Sequence, residues 1–286
     1  NTYCTRTHDS LKISNGKWIW WSRGIGGRSA LDYLIKVKGY SFLEAVETII
    51  GHTAIQAPVY EKPQSKEENK PLLLPEKCAS NRVITEYLFG RGIDFVIINY
   101  CISNDLIFES LPYHNVVFVG YDEKKEPKYA AYRSTNKRRI MGDCSGSKKD
   151  YSFRLGKENL EEVHLFECAI DLLSYATLAK LNGQDWKEMS FVSLSGVYSP
   201  AKKIEDSKVP IALEKYLGSN PSVRKIRIHF DNDIAGRKAA QTLKTILPDK
   251  YEIVDEPPKA GKDFNDFLCM RMGIYNKKTH ERNEER

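Results

Sequence analysis

The run His229-Phe230-Asp231-Asn232-Asp233-Ile234-Ala235-Gly236-Arg237 constrains the fold more than any other part of the 286-residue chain. Just before it, Val223-Arg224-Lys225-Ile226-Arg227-Ile228 alternates apolar and basic side chains, which predicts a strand. Just after it, Ala235 to Lys244 carries helix formers and a basic outer face, and Asp233 is placed to cap that helix. A strand that ends in two acids one residue apart and runs into a helix presents hard oxygen donors at its C-terminal end. Mg²⁺ uses such a site when it keeps several waters and meets phosphate.

A third acid stands upstream. Glu167 lies between the strand-like Val163-His164-Leu165-Phe166 and the helix-like Ala169-Ile170-Asp171-Leu172-Leu173-Ser174-Tyr175-Ala176. Strand, glutamate, helix, then strand, Asp-x-Asp, helix resembles the Toprim domain shared by bacterial primases, topoisomerases and related nucleases. The resemblance implies that Glu167, Asp231 and Asp233 sit at the ends of neighbouring parallel strands, hold Mg²⁺ (or Mn²⁺) and form the catalytic set. Gly261-Lys262-Asp263-Phe264-Asn265-Asp266 is similar to the Lys-Asp-aromatic-Asn-Asp signature that ends many primase-like and mobile-element Toprim domains. It adds Asp263 and Asp266 as ligands of a second metal, with Lys262 steering phosphate. A helix whose N-terminus is capped by Asp263 is the other reading of that stretch. His229 shares the face of Asp231 but lies one strand repeat back, where packing is expected rather than catalysis.

Other strand candidates complete an α/β sheet. Ser190-Phe191-Val192-Ser193-Leu194 ends in the small-residue turn Ser195-Gly196-Val197, which would let backbone approach phosphate or metal closely. Glu252-Ile253-Val254-Asp255 reads as the last strand. Right-handed crossovers then make a parallel sheet flanked by helices.

The front of the chain follows a different pattern. Ser10 to Ser14 and Lys17 to Trp21 flank Asn15-Gly16 and predict a β-hairpin. Helices are predicted from Ser29 and from Ser41, the second with a capping box of Ser41 and Glu44. Hairpin and helix pair resemble the zinc-binding domain at the front of bacterial primases, through Leu31-Asp32-Tyr33-Leu34 and Ser41-Phe42-Leu43-Glu44-Ala45-Val46. The hairpin cysteines of that family fall at about Trp21 and Gly24, and Cys4 with His8 supplies at most one ligand pair. A zinc ribbon without its metal is therefore expected, and no zinc. Trp18 and Trp20 share one face of their strand and should form its mini-core. Trp21 and Arg23 point elsewhere and are contact candidates.

Residues 54–76 hold Pro58, Pro63, Pro71 and Pro75 among Glu and Lys without periodicity, the composition of a linker. A short helix over Arg82 to Arg91 is predicted next, then a hairpin of Asn115 to Tyr121 and Lys128 to Arg133. Between Lys124 and Arg154 there are ten Lys and Arg residues against Glu126, Asp143 and Asp150. With Tyr129, Tyr132, Tyr151 and Phe153 beside it, this stretch suits a backbone-binding surface for single-stranded DNA. Arg133 and Arg139 are the first candidates, supported by Lys137, Arg138, Lys148 and Lys149. Its position before a Toprim domain resembles the basic half of the primase core.

The expected organisation is α/β: a zinc-ribbon-like module at 1–53, a linker at 54–76, a basic α+β domain at 77–157, the Toprim domain at 158–273 and a charged tail at 274–286. The six cysteines are scattered with no C-x-x-C, as in a reduced, cytoplasmic protein, and no apolar run is long enough to span a bilayer. The net charge of +6 is modest, so its placement matters more than its total. The chain begins at Asn1 rather than Met, which is expected of a piece of a longer protein. Three functions stay open: a primase-like nucleotidyltransferase of plasmid, phage or mobile-element replication or transfer, a metal-dependent nuclease, and a non-catalytic DNA-binding accessory. Nucleotides and replication or conjugation proteins are the further partners these imply. No tyrosine-nucleophile motif of topoisomerases is found among the sixteen tyrosines.

Overall fold

The turn Asn15-Gly16, with φ of 48° and 73°, reverses the chain between strands β2 (His8–Ser14) and β3 (Lys17–Trp20). Both residues adopt the left-handed conformation that a tight hairpin needs. In the computed structural model, which describes residues 2–5, 8–52, 70–136, 138, 140–196, 198, 200–201 and 203–274, the chain divides into two units, Asn1–Glu68 and Asn69–Arg286.

In the first unit, β1 (Tyr3–Thr5), β2, β3 and β4 (Ile25–Gly27) form an antiparallel sheet in that order. Helices α1 (Ala30–Lys38) and α2 (Phe42–His52) follow. The Ser41 N–H donates to Glu44 Oε2 at 2.8 Å and the Glu44 N–H to Ser41 Oγ at 3.3 Å, the reciprocal capping box. Leu11, Trp18 and Trp20 are buried together, with Tyr33 and Val37 of α1 packed on them. The strand ends at Trp20, one residue short of the expected Trp21, which opens a 3-10 turn over Trp21–Arg23 and is 66% exposed. Gly27 permits this packing: a Cβ there would lie 2.7 Å from Trp18 Nε1. His8 lies against the Trp20 ring with centroids 4.6 Å apart, and Cys4 is exposed opposite Lys12.

The second unit begins at the far end of the stretch that composition marks as linker. The Leu73 N–H donates to the Ser145 C=O, and Leu72 packs on the cluster of Phe108, Val117, Val119 and Ala130. Apolar Leu72 thus gives residues 70–76 a surface to lie on, while 53–69 fall outside the described residues. Next come α3 (Arg82–Phe89) and α4 (Phe95–Ser103). They lead into an antiparallel sheet of β5 (Ile107–Glu109), β6 (Val116–Tyr121), β7 (Pro127–Arg133) and β8 (Met141–Asp143).

The rest is a five-stranded sheet. It contains β9 (Arg154–Gly156), β10 (Glu162–Phe166), β11 (Ser190–Ser193), β12 (Lys225–Ile228) and β13 (Glu252–Asp255), in the order β13-β12-β10-β11-β9. All neighbours are parallel except β9, which runs antiparallel to β11. Helices α5 (Ala169–Leu181), α6 (Ile211–Ser219), α7 (Ile234–Ile246) and α8 (Phe264–Arg271) complete it.

Alternation along the strands divides the core. Val163, Leu165, Val192, Ile226 and Ile228 meet α6 and α7 on one face. Phe166 and Phe191 meet α5 and α8 on the other, in a cluster that also takes in Ile84, Leu88 and Ile97 of α3 and α4. One apolar core therefore joins the segment before the five-stranded sheet to the sheet itself.

The chain leaves β10 through α5 toward β11, then returns past β10 to reach β12, which it leaves through α7 on the opposite face. The carboxyl ends of β10 and β12 therefore border a crevice where the winding reverses, the usual ligand position in open α/β sheets.

Candidate active site

Glu167 follows β10 directly and Asp231 follows β12 by three residues, so both acids reach that crevice. Glu167 is only 5% exposed, and its Oε1 accepts the Asp231 N–H at 3.2 Å. Asp233 caps α7, its Oδ1 accepting the Gly236 N–H at 2.9 Å. Its other oxygen faces Lys262. The Lys262 Nζ stands 3.1 Å from Asp231 Oδ2 and 3.1 Å from Asp233 Oδ2, bridging the pair.

Two residues hold this loop to its helix. Gly236 brings α7 against the strand end, where a Cβ would lie 2.2 Å from the Asp231 carbonyl oxygen and 3.0 Å from Glu167 Oε1. Arg237 donates to the carbonyls of Asp231 and Phe230 and pairs with Asp255 at 2.8 Å. Sequence reading passed over Arg237. Its signal was a lone arginine four residues beyond the helix cap, where a side chain folds back over the first turn.

Burial pushes the Glu167 carboxyl up to about 7, and the charge of Asp231 pushes the same way. Asp231 is raised by burial against the opposing pull of Lys262, whereas the Gly236 N–H holds Asp233 below its ordinary value. Hydrogen bonds to Asp231 and Asp233 raise the Lys262 ammonium. The cluster is thus short of positive charge, and among the described residues Lys262 is the cation paired with it. Such a set of oxygen donors, already bridged by an ammonium, fits a hydrated Mg²⁺ or Mn²⁺.

The strand order, the two acid-bearing strand ends and the basic bridge agree with what a comparison by sequence finds. The family model described as Toprim-like matches residues 164–268. Residues 164–268 are a Toprim-like domain. Another family model, described as a protein of unknown function (DUF3991), matches residues 86–159, the segment just before it. No curated protein matches the chain.

Among solved structures, the primase fragment of the bacteriophage T7 primase-helicase is 16% identical, with 93% of this chain and 90% of that chain covered and a TM-score of 0.45. The zinc-binding and RNA polymerase domains of Aquifex aeolicus primase are 15% identical, covering 96% of this chain and 76% of that one at a TM-score of 0.41. For the E. coli primase catalytic core the values are 12%, 71%, 72% and 0.43. At these scores the likeness is distant, and the assignment rests on the Toprim-like model and the strand order.

The last motif of the Toprim domain divides into two faces. Asp263 Oδ1 caps α8 through the Asp266 N–H at 2.7 Å, and Asp266 Oδ2 accepts the Lys262 N–H at 3.3 Å. Burial raises Asp263. Lys262 alone of this motif reaches Asp231 and Asp233. Asn265 turns inward. Its amide donates to the Arg91 carbonyl at 2.9 Å and to Ser174 Oγ at 3.0 Å, and its oxygen accepts from the Arg91 guanidinium. The Asn265 N–H donates to Asp171 Oδ1 at 3.2 Å, and burial lifts that carboxyl to about 7. His229 is fully packed, stacked on Phe166 with its Nε2 2.8 Å from His164 Nδ1, and burial drives its pKa well below the ordinary value.

The basic residues are dispersed. Arg133 and Lys149 border a cleft of about 300 Å³ with Tyr132, Cys168, Ser195 and Gly196, next to Glu167. Lys149 pairs with Asp143 at 3.1 Å and reaches the Ser195 carbonyl at 3.4 Å. The Gly196 N–H donates to the Glu167 carbonyl, which places the small-residue turn beside the acids. The Arg138 side chain is exposed and its N–H donates to Asn136 Oδ1, while the Lys148 N–H donates to the Lys128 carbonyl. Lys137 and Arg139 lie outside the described residues.

Proposed function

We propose that the protein is a Mg²⁺-dependent, primase-type nucleotidyltransferase that acts on single-stranded DNA in the cytoplasm, in the replication or transfer of a plasmid, phage or other mobile element. The observation that carries this reading is the convergence of Glu167, Asp231 and Asp233 where the sheet reverses its winding, under the ammonium of Lys262. Arg133 and Lys149 on the adjoining cleft supply positive charge for a nucleic-acid backbone or a triphosphate.

On this reading Asp231 and Asp233 hold the metal. A bound Mg²⁺ offsets the charge that grows on phosphate oxygens during phosphoryl transfer. Glu167, which exchanges its proton near neutral pH, stands as a third ligand or as the base for an attacking 3′-hydroxyl. Lys262, now paired with both aspartates, would be free to engage a phosphate if a cation took its place on them. Asp263 and Asp266 remain candidates for a second ion through the oxygens that do not serve backbone N–H groups.

The test is incubation with labelled single-stranded DNA, Mg²⁺ or Mn²⁺ and four ribonucleotides, beside an Asp231→Ala control. Ribonucleotide-containing products that vanish in the control are expected. Shortened DNA that vanishes in the control would replace this reading with a nuclease on the same acids. DNA bound and unchanged would leave an accessory binding protein.

A further inference from the structure

Away from the Toprim acids, three side chains of different chemistry converge at the N-terminal end of α3. Cys78, Glu109 and His114 offer a thiol, a carboxylate oxygen and an imidazole nitrogen, all within 4.8 Å of one another. Among the described residues this is the one such group of three.

Each member is held in place by backbone. The Cys78 N–H donates to the Glu109 carbonyl at 2.8 Å, and the Leu111 N–H donates to the Glu76 carbonyl at 2.8 Å, so the segment before α3 runs beside the end of β5. The His114 N–H donates to the Ser110 carbonyl, and the Thr135 hydroxyl donates to the His114 carbonyl at 3.0 Å. His114 is held at φ 52°, in the left-handed region that few side chains occupy without a reason. Glu109 is buried, and one oxygen accepts the N–H groups of Val83 and Ile84 at 2.8 and 3.2 Å. Its other oxygen, Oε1, faces His114 Nδ1 at 2.6 Å.

Helix capping explains Oε2 and the imidazole engages Oε1, but neither contact accounts for the thiol that converges with them. We propose that Cys78, Glu109 and His114 form a zinc site with three protein ligands and a fourth position open to water. A thiolate beside an imidazole selects a borderline ion such as Zn²⁺ over Mg²⁺, which prefers oxygen alone. Donors around a tetrahedral zinc stand roughly 3.5 Å apart, so Glu109 Oε1 and His114 Nδ1, now 2.6 Å apart, must part by about 1 Å to admit the ion. The His114 side chain, 47% exposed, and the half-buried Cys78 are free to move, while Glu109 is fixed. The contacts that would hold the ligands in orientation are present before the metal arrives. The ion would fasten the strand-like entry to α3 onto the hairpin that begins the basic segment. Its ligands come from residues 78–114 and not from the zinc-ribbon-like module at 1–53.

The test uses the full chain, reduced and stripped by a chelator, then titrated with Co²⁺ and afterwards with Zn²⁺. One equivalent of Co²⁺ should give a thiolate-to-cobalt charge-transfer band and the strong d–d bands of a tetrahedral ion, both erased by Zn²⁺. Cys78→Ser should abolish the charge-transfer band, and His114→Ala should weaken binding more than about tenfold. Cys4→Ser should change neither. Thermal unfolding provides a second readout, since Zn²⁺ should raise the Tm of the parent chain and leave that of Cys78→Ser unmoved. A parent chain without the charge-transfer band, or a band that survives Cys78→Ser, would overturn the assignment.

Discussion

Replacing Lys262 with methionine should make the protein bind a divalent cation more tightly. The ammonium sits 3.1 Å from one oxygen of each of Asp231 and Asp233, and its side chain is 57% exposed. Two solvent-accessible ion pairs of this kind contribute about 0.2–1 kcal/mol each, which a metal must displace before both carboxylates are free. If the lysine instead stayed put, its charge would oppose a divalent ion about 4 Å away by about 2 kcal/mol in a water-like dielectric. These limits bracket a gain of roughly 2- to 30-fold in affinity. Methionine keeps the length and apolar stem of lysine, so α8 and its cap are undisturbed. Mn²⁺ binding to the chelator-treated protein, followed by calorimetry or by loss of the free-ion paramagnetic resonance signal at pH 8, measures the change. Work at that pH keeps the raised carboxyl of Glu167 ionised in both proteins. Unchanged or weaker Mn²⁺ binding by Lys262→Met would refute the idea that this ammonium occupies the place of the metal.

Three further substitutions probe the surroundings. Gly236→Ala puts a methyl 2.2 Å from the Asp231 carbonyl oxygen, so α7 must move away from the strand end at a cost of about 1–3 kcal/mol, read as a lower Tm together with weaker Mn²⁺ binding. Glu167→Gln should stabilise the metal-free protein at pH 8. The folded state holds the Glu167 proton up to about pH 7, so the parent loses stability as pH rises from the ordinary glutamate value of 4.5 through 7, by at most about 3 kcal/mol. Urea midpoints of the two proteins should therefore converge at pH 4.5, and a gap that persists there would contradict the assignment. Asn265→Ala strips partners from the Arg91 carbonyl, the Arg91 guanidinium and Ser174, and should cost about 2–4 kcal/mol in a denaturant titration without changing Mn²⁺ affinity in the folded protein.

Much of the Toprim domain was legible because period-two patterns are strong where a strand has one basic or aromatic face. Val163 to Phe166, Ser190 to Ser193 and Glu252 to Asp255 all read as strands and all pair. Asp233 announced itself as a helix cap and is one. The strand before Asp231 is shorter than its alternation suggests, because the Arg224 N–H turns to the Glu161 carbonyl before the ladder begins at Lys225. Helix α6 went unread: Pro210 stands where a capping side chain would, and Ile211 to Leu217 is too brief a period to recognise. Side-chain direction was also hidden. Nothing in Lys-Asp-Phe-Asn-Asp tells that Lys262 faces the acids while Asn265 faces Arg91. The Cys78, Glu109 and His114 group is invisible for a stronger reason, since Cys78 lies far before the other two in sequence and reaches them only through the bridge between Lys77 and Ser110.

The bonds between Asn265 and Arg91 bear on how such proteins can be recombined. They cross from the first turn of the last helix to the loop after α3, over the apolar core in which Ile84 and Leu88 share neighbours with Phe264 and Leu268. A Toprim domain exchanged for that of a relative at a junction near residue 160 would bring its own asparagine to an unfamiliar loop. Unless residue 91 and its neighbours travelled with it, a buried amide would be left facing the wrong partners. Residues 86–159 and 164–268, which two separate family models match, would here have to change hands as one.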